Sequence, residues 1–172
     1  MNRVGMTKIE LLVIGLIVGL LGLMAVIAVS SARSGMRDAV RLSNVREIQA
    51  GLELYFNESN SYPKTDSYIA LGESSARCLG AVGFNSVCDS GSVFLEVITS
   101  PPEGGLDELS SCETYTNSYC YAGSEIGYSV QFEIERDNAL LGLTKGLNCA
   151  TEEGVTEGAC EAVEASLDSS SS

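Results

Sequence analysis

The chain has no histidine, only three prolines, and no cysteine before position 78. Without histidine it lacks the side chain that most often serves as a base near neutral pH, and it lacks an imidazole metal ligand. No P-loop, dinucleotide-binding glycine pattern, G-x-S-x-G, H-E-x-x-H or C-x-x-C occurs either, so no enzymatic function and no zinc module is expected. Positive charge is scarce over most of the length: from position 51 onward four basic residues (Lys64, Arg77, Arg136, Lys145) face twenty acidic ones. A field of that sign repels nucleic acid, and no specific nucleic-acid partner is predicted. The 172 residues and 45% hydrophobic content leave room for one apolar helix and one modest domain.

Charge is also missing from Leu11 to Val29, nineteen uncharged residues that follow directly on Glu10. At about 1.5 Å per residue this run makes a helix of roughly 28 Å, close to the thickness of a bilayer's hydrocarbon core. An ordinary secretory signal is the rival reading, because Ala28-Val29-Ser30 and Ser30-Ser31-Ala32 both offer small residues for cleavage. Such a signal usually has a shorter apolar region of roughly 7 to 15 residues, and it leaves Glu10 unexplained. A simple uncleaved anchor is a further alternative. Flanking charge does not settle orientation, since Arg3 and Lys8 precede the run while Arg33, Arg37, Arg41 and Arg46 follow it.

The stretch Gly5-Met6-Thr7-Lys8-Ile9-Glu10-Leu11-Leu12 resembles the class III signal of type IV pilins and type II secretion pseudopilins, with Met6 where Phe is usual and Lys8 inside the usual Thr-Leu-Ile-Glu wording. The resemblance implies that a prepilin peptidase cuts between Gly5 and Met6, removing the leader 1–5, and that Met6 becomes an N-methylated amino terminus. It also implies that Glu10 is the acidic fifth residue of the mature chain. Orientation then follows from the leader: residues 6–29 cross the inner membrane once and the head is extracytoplasmic. Many pilins carry a proline kink near what is here Ile27, and this chain has none. The part from Arg37 to Phe56, closing on Ser61-Tyr62-Pro63, is similar to G-type pseudopilins and short pilins.

Glu10 also calls for a partner on physical grounds, because a carboxylate near the membrane costs up to a few kcal/mol unless it is paired or snorkels. If cleavage frees the Met6 amine, a neighbouring subunit displaced along a filament axis brings that cation to Glu10 in a low-dielectric setting, and so sets the register. The local alternative is a capping box, since Thr7-x-x-Glu10 fits S/T-x-x-E at a helix start.

Beyond Ser30 the pattern turns amphipathic, with Val45, Ile48, Leu52 and Tyr55 at helical spacing. The helix is predicted to continue over 30–57 and to stop in the turn-forming Asn57–Pro63 segment. Arg33, Arg37 and Arg41 recur every fourth residue, as either a solvated stripe in contact with lipid headgroups or one that meets acidic surfaces of adjacent subunits. Strand signals lie at Val93–Ile98, Ser118–Ala122, Gly127–Glu135 and Gly142–Cys149, with a loop at 100–105. The fold class expected is α+β and pilin-like: a long N-terminal helix packed on a small antiparallel head (58–165), followed by a disordered Ser-rich tail (166–172).

All six cysteines (78, 88, 112, 120, 149, 160) lie in the head, which points to an oxidising compartment. Six cysteines allow fifteen pairings; close neighbours in sequence favour Cys78-Cys88, Cys112-Cys120 and Cys149-Cys160. A loop closed by Cys149 and Cys160 resembles the disulfide-bounded region of pilins. Two acidic groups, Glu103 with Asp107 and Glu108, and Glu152 with Glu153 and Glu157, are either solvated loops or oxygen ligands for calcium, as in some pseudopilin heads. No other cofactor is expected. Gly15-x-x-x-Gly19 permits close helix approach.

The function expected is a structural subunit of a pilus-like filament, with a secretion pseudopilin or a non-polymerising anchored binding module as alternatives. Expected partners are copies of the same chain, minor pilins, the prepilin peptidase, the inner-membrane assembly platform and membrane lipid.

Overall fold

In the computed structural model, which describes residues 7–161, one helix, α1, runs from Lys8 to Ser59 without interruption. The Gly5-Met6 junction, the leader and the Ser-rich tail lie outside the described residues. Thr7 caps the start in an extended conformation, and its Oγ1 accepts the Glu10 backbone N–H at 3.3 Å. With no proline between Lys8 and Ser59 nothing breaks the hydrogen-bond ladder, and 52 residues give a rod about 78 Å long. The helix ends slightly later than the turn-forming residues predict. Asn57, Glu58 and Ser59 stay helical because Asn60 takes the left-handed cap (φ 54°, ψ 27°) and donates to Phe56 O at 2.7 Å. Phe56 then stacks on Tyr62 with ring centroids 4.7 Å apart, turning the chain back towards the sheet.

The rest is antiparallel β-structure. A five-stranded sheet has the order β1 (Ile69–Leu71), β5 (Tyr119–Gly123), β6 (Tyr128–Ile134), β7 (Gly146–Thr151), β8 (Gly154–Glu157). A smaller sheet has β3 (Gly83–Asn85), β2 (Cys78–Gly80) and β4 (Val93–Leu95). The architecture is α+β, with the outer half of α1 packed against both sheets. Val45, Ile48, Leu52 and Tyr55 are all buried and form one core with Leu79, Tyr119, Tyr121, Val130, Phe132 and Ile134. At Gly51 a Cβ would stand 2.3 Å from Leu95 Cγ, so glycine at this position lets β4 lie this near the helix.

Strand β6 departs from a one-sided alternation. Tyr128, Val130, Phe132 and Ile134 face the core as expected, yet Ser129 and Glu133 on the other face are buried too. The segment 105–118 covers the Glu133 end of that face, and the Tyr68 hydroxyl lies 3.4 Å from Ser129 Oγ. Ser110 Oγ donates to Ser118 O (2.8 Å), and the Glu133 carboxylate accepts the Asp107 and Leu109 N–H groups at 2.6 and 2.9 Å. Three disulfides clip the loops: Cys78–Cys88, Cys112–Cys120 and Cys149–Cys160, spanning 10, 8 and 11 residues. Closing a loop of this size removes denatured-chain entropy worth on the order of 2–3 kcal/mol, which matters in a head with a limited core.

Candidate functional site

Two features of α1 carry functional information: its uncovered apolar half and its junction with the head. Along the first, large apolar side chains from Ile9 to Val29 are exposed, with Leu11 at 67% and Ile27 at 70%. The stretch is long and apolar enough to cross a membrane, and none of it is buried against the rest of the described chain. Water is a poor solvent for so much contiguous apolar surface, which has the character of a membrane anchor or of an amino-terminal signal sequence. Gly15, Gly19 and Gly22 have open space where a Cβ would be, and they leave a shallow strip free for a neighbour.

Glu10 opens this half. Its backbone N–H is held by Thr7 Oγ1, but among the described residues its carboxylate has neither a hydrogen-bond nor an ion-pair partner. The cap suggested by Thr7-x-x-Glu10 is therefore formed through the backbone, and it leaves the acidic group itself unengaged by described residues.

The junction corrects the reading of the arginine stripe. Arg33 is exposed, but Arg41 is fully buried and Arg37 half-buried, and both are neutralised within the same chain rather than by lipid or a neighbouring subunit. Arg41 Nη1 donates to Asp38 Oδ1 (2.8 Å) and Glu135 Oε1 (2.7 Å), and its Nη2 to Pro102 O (2.7 Å) and Gly104 O (2.9 Å). Arg37 Nε donates to Glu135 Oε1 at 2.6 Å, and its Nη2 bonds Oε2 in a forked pair. Asp38 in turn accepts the backbone N–H groups of Glu135 (2.9 Å) and Arg136 (3.1 Å), satisfying donors where β6 ends. Arg136 then reaches down the helix and donates to Ser31 O (2.9 Å) and Ser31 Oγ (2.8 Å).

This polar cluster clamps the foot of β6 to α1. Local sequence permits it through Gly105 (φ +73°), where a Cβ would lie 1.9 Å from Glu135 Oε2. Sequence reasoning missed Asp38, Glu135, Arg136 and the Pro102–Gly105 turn as one group. The available signals were the Asp38/Arg41 spacing of three on a helix and a Glu-Arg pair at the end of the clearest strand.

Hydrogen bonds from Arg37, ahead of those from Arg41, hold the Glu135 carboxyl below the ordinary carboxylate range against the opposing effect of burial. Because the folded-state pKa is lowered, this contribution to stability is complete above the ordinary carboxylate pKa and fades as pH falls through the folded value. Urea midpoints followed by near-ultraviolet circular dichroism should therefore drop on acidification below about pH 4. In Glu135→Gln that part of the pH dependence should vanish; an unchanged slope would assign it to other carboxylates.

The two acidic groups do not converge. Asp107 forms an exposed pair with Lys145 at 2.9 Å, and Glu152 accepts the Tyr128 N–H at 3.4 Å. Among the described residues no three acidic or cysteine side chains are placed to hold a metal ion.

No protein-family model, curated protein or solved structure matches this chain.

Proposed function

We propose that this chain is a structural subunit of a type IV pilus-like filament, held in the inner membrane through Leu11–Val29 with its head extracytoplasmic, and drawn into a helical assembly once a prepilin peptidase has removed residues 1–5. The observation that carries the reading is an apolar half-helix with no described residue of its own chain over it, opened by an acidic residue whose carboxylate no described residue engages. Apolar exposure also outlasts any bilayer: Met36 (70%), Val40 (48%) and Leu54 (56%) remain open on the side of α1 away from the head. Lipid cannot reach Leu54, about 37 Å beyond Val29 along the axis, whereas the helices of other copies can.

In this proposal the Glu10 carboxylate receives the Met6 amine of an adjacent copy, and each addition sets the rise of the next. The Arg37–Pro63 wording, similar to G-type pseudopilins, supports a second reading in which the filament is a short pseudopilus of a type II secretion system that drives protein export. A non-polymerising anchored binding module leaves the exposed Met36, Val40 and Leu54 of α1 without a role.

Intact-mass measurement of the chain from native membranes tests the processing step. The expected species starts at Met6 and carries one added methyl group. A chain starting at Met1, or near Ser31 as after secretory cleavage, would overturn the proposal.

A further inference from the structure

Between Val29 and Arg41, the cations of α1 and of its clamp divide into two sets. Arg37 and Arg41 are spent on Glu135 and Asp38. Arg33 is exposed, and the Arg136 guanidinium bonds Ser31 alone among the described residues; neither side chain forms an ion pair with a described residue. Arg33 is four residues past Val29, about 6 Å along the axis, and the Arg136 guanidinium is pinned to Ser31, about 3 Å past it. Headgroups add roughly 5–8 Å to each side of the hydrocarbon core, so both cations sit at the depth of lipid phosphates.

Directly beneath Arg33 the face of α1 forms a shallow notch, largely open and bounded by this helix alone, lined by Ala25, Val26, Val29, Ser30, Arg33 and Arg37. Its floor is apolar and its rim is a hydroxyl with guanidinium groups. That order, apolar then cationic, matches an acyl chain leading up to a phosphate.

Resting on the reading that Leu11–Val29 spans a bilayer, we propose that Arg33 and Arg136 form a collar that binds the phosphates of anionic phospholipids, with an acyl chain seated in the notch below Arg33. Guanidinium groups suit this task because they bond phosphate oxygens in pairs. Lipid is favoured over an acidic surface of a second copy because the notch floor continues the apolar span without a break. The collar also offsets repulsion between an anionic membrane and the acidic head. Arg136 is at the foot of β6, so lipid contact there ties the head itself to the membrane surface.

The test uses the full chain in nanodiscs of mixed phosphatidylcholine and phosphatidylglycerol, with retained lipid counted by native mass spectrometry. Each cation at the surface is worth about a five-fold preference, so the wild-type chain should retain phosphatidylglycerol several-fold above its bulk share. Arg33→Gln/Arg136→Gln should fall to the bulk ratio. Arg33→Gln alone, which touches no described partner, should lose part of the enrichment without disturbing the head. Arg46→Gln, a further 25 Å or so past Val29, should retain it. Equal enrichment in wild type and double variant, a bulk ratio in wild type, or a dimer that the double variant loses would each overturn the proposal. Failure to enter the discs would overturn the spanning helix and the collar together. Loss or retention of filaments does not enter this readout, so the assembly proposal fails or stands separately.

Discussion

Arg41→Ala is expected to destabilise the head by about 3–5 kcal/mol, the usual cost of removing one partner from a buried ion cluster. Arg41 is fully buried, and its guanidinium bonds two carboxylates and two backbone carbonyls at 2.7–2.9 Å. Truncation leaves Asp38 without its counter-ion, Glu135 with Arg37 alone, and the Pro102 and Gly104 carbonyls dry. For a domain of this size, each kcal/mol moves the thermal midpoint by roughly 4 °C or more, so the melt should shift down by more than about 12 °C. Arg41→Lys should lie between the two, since one ammonium keeps the charge but cannot span the same four acceptors. Near-ultraviolet circular dichroism melts in detergent would decide it. A midpoint within a few degrees of wild type in the alanine variant would mean that core packing alone seats the head.

Glu10→Ala should have the opposite profile: head stability, expression and leader removal close to wild type, and no filaments by electron microscopy. The substitution isolates the carboxylate, because the donor to Thr7 Oγ1 is the backbone N–H of residue 10 and survives the change. The helix cap is kept and only the acid is lost. Under the proposed assembly, the incoming Met6 amine then finds no anion in a low-dielectric environment, where an unpaired charge is costly. Ordinary filaments from this variant would remove Glu10 from the assembly step and return it to a surface role at the helix start.

The sequence was legible where a pattern was long or chemically unambiguous. Nineteen uncharged residues, the 45/48/52/55 spacing and the 128–134 alternation each repeat often enough to define an element, and α1 and β6 form at those places. The three disulfides join neighbours in sequence. Strands β1, β2 and β3 have three residues each, shorter than two periods of any alternation, so pairing partners rather than local sequence create them. The arginine stripe was misread because periodicity reports which helical positions share a face but not what lies opposite. Glu135 is 94 residues from Arg41, and only the antiparallel descent of β6 along α1 brings the two together. Burial of Glu133 was hidden likewise, because the segment that covers it carries no regular structure of its own.

The continuity of α1 has a mechanical consequence. A rod without a hinge, fastened to β6 at Ser31, Asp38 and Arg41, transmits rotation: if its apolar end turns about its axis, the acidic lobe must swing through the same angle. Azimuth and height are locked together, so whatever grips the lower end also steers the outer face.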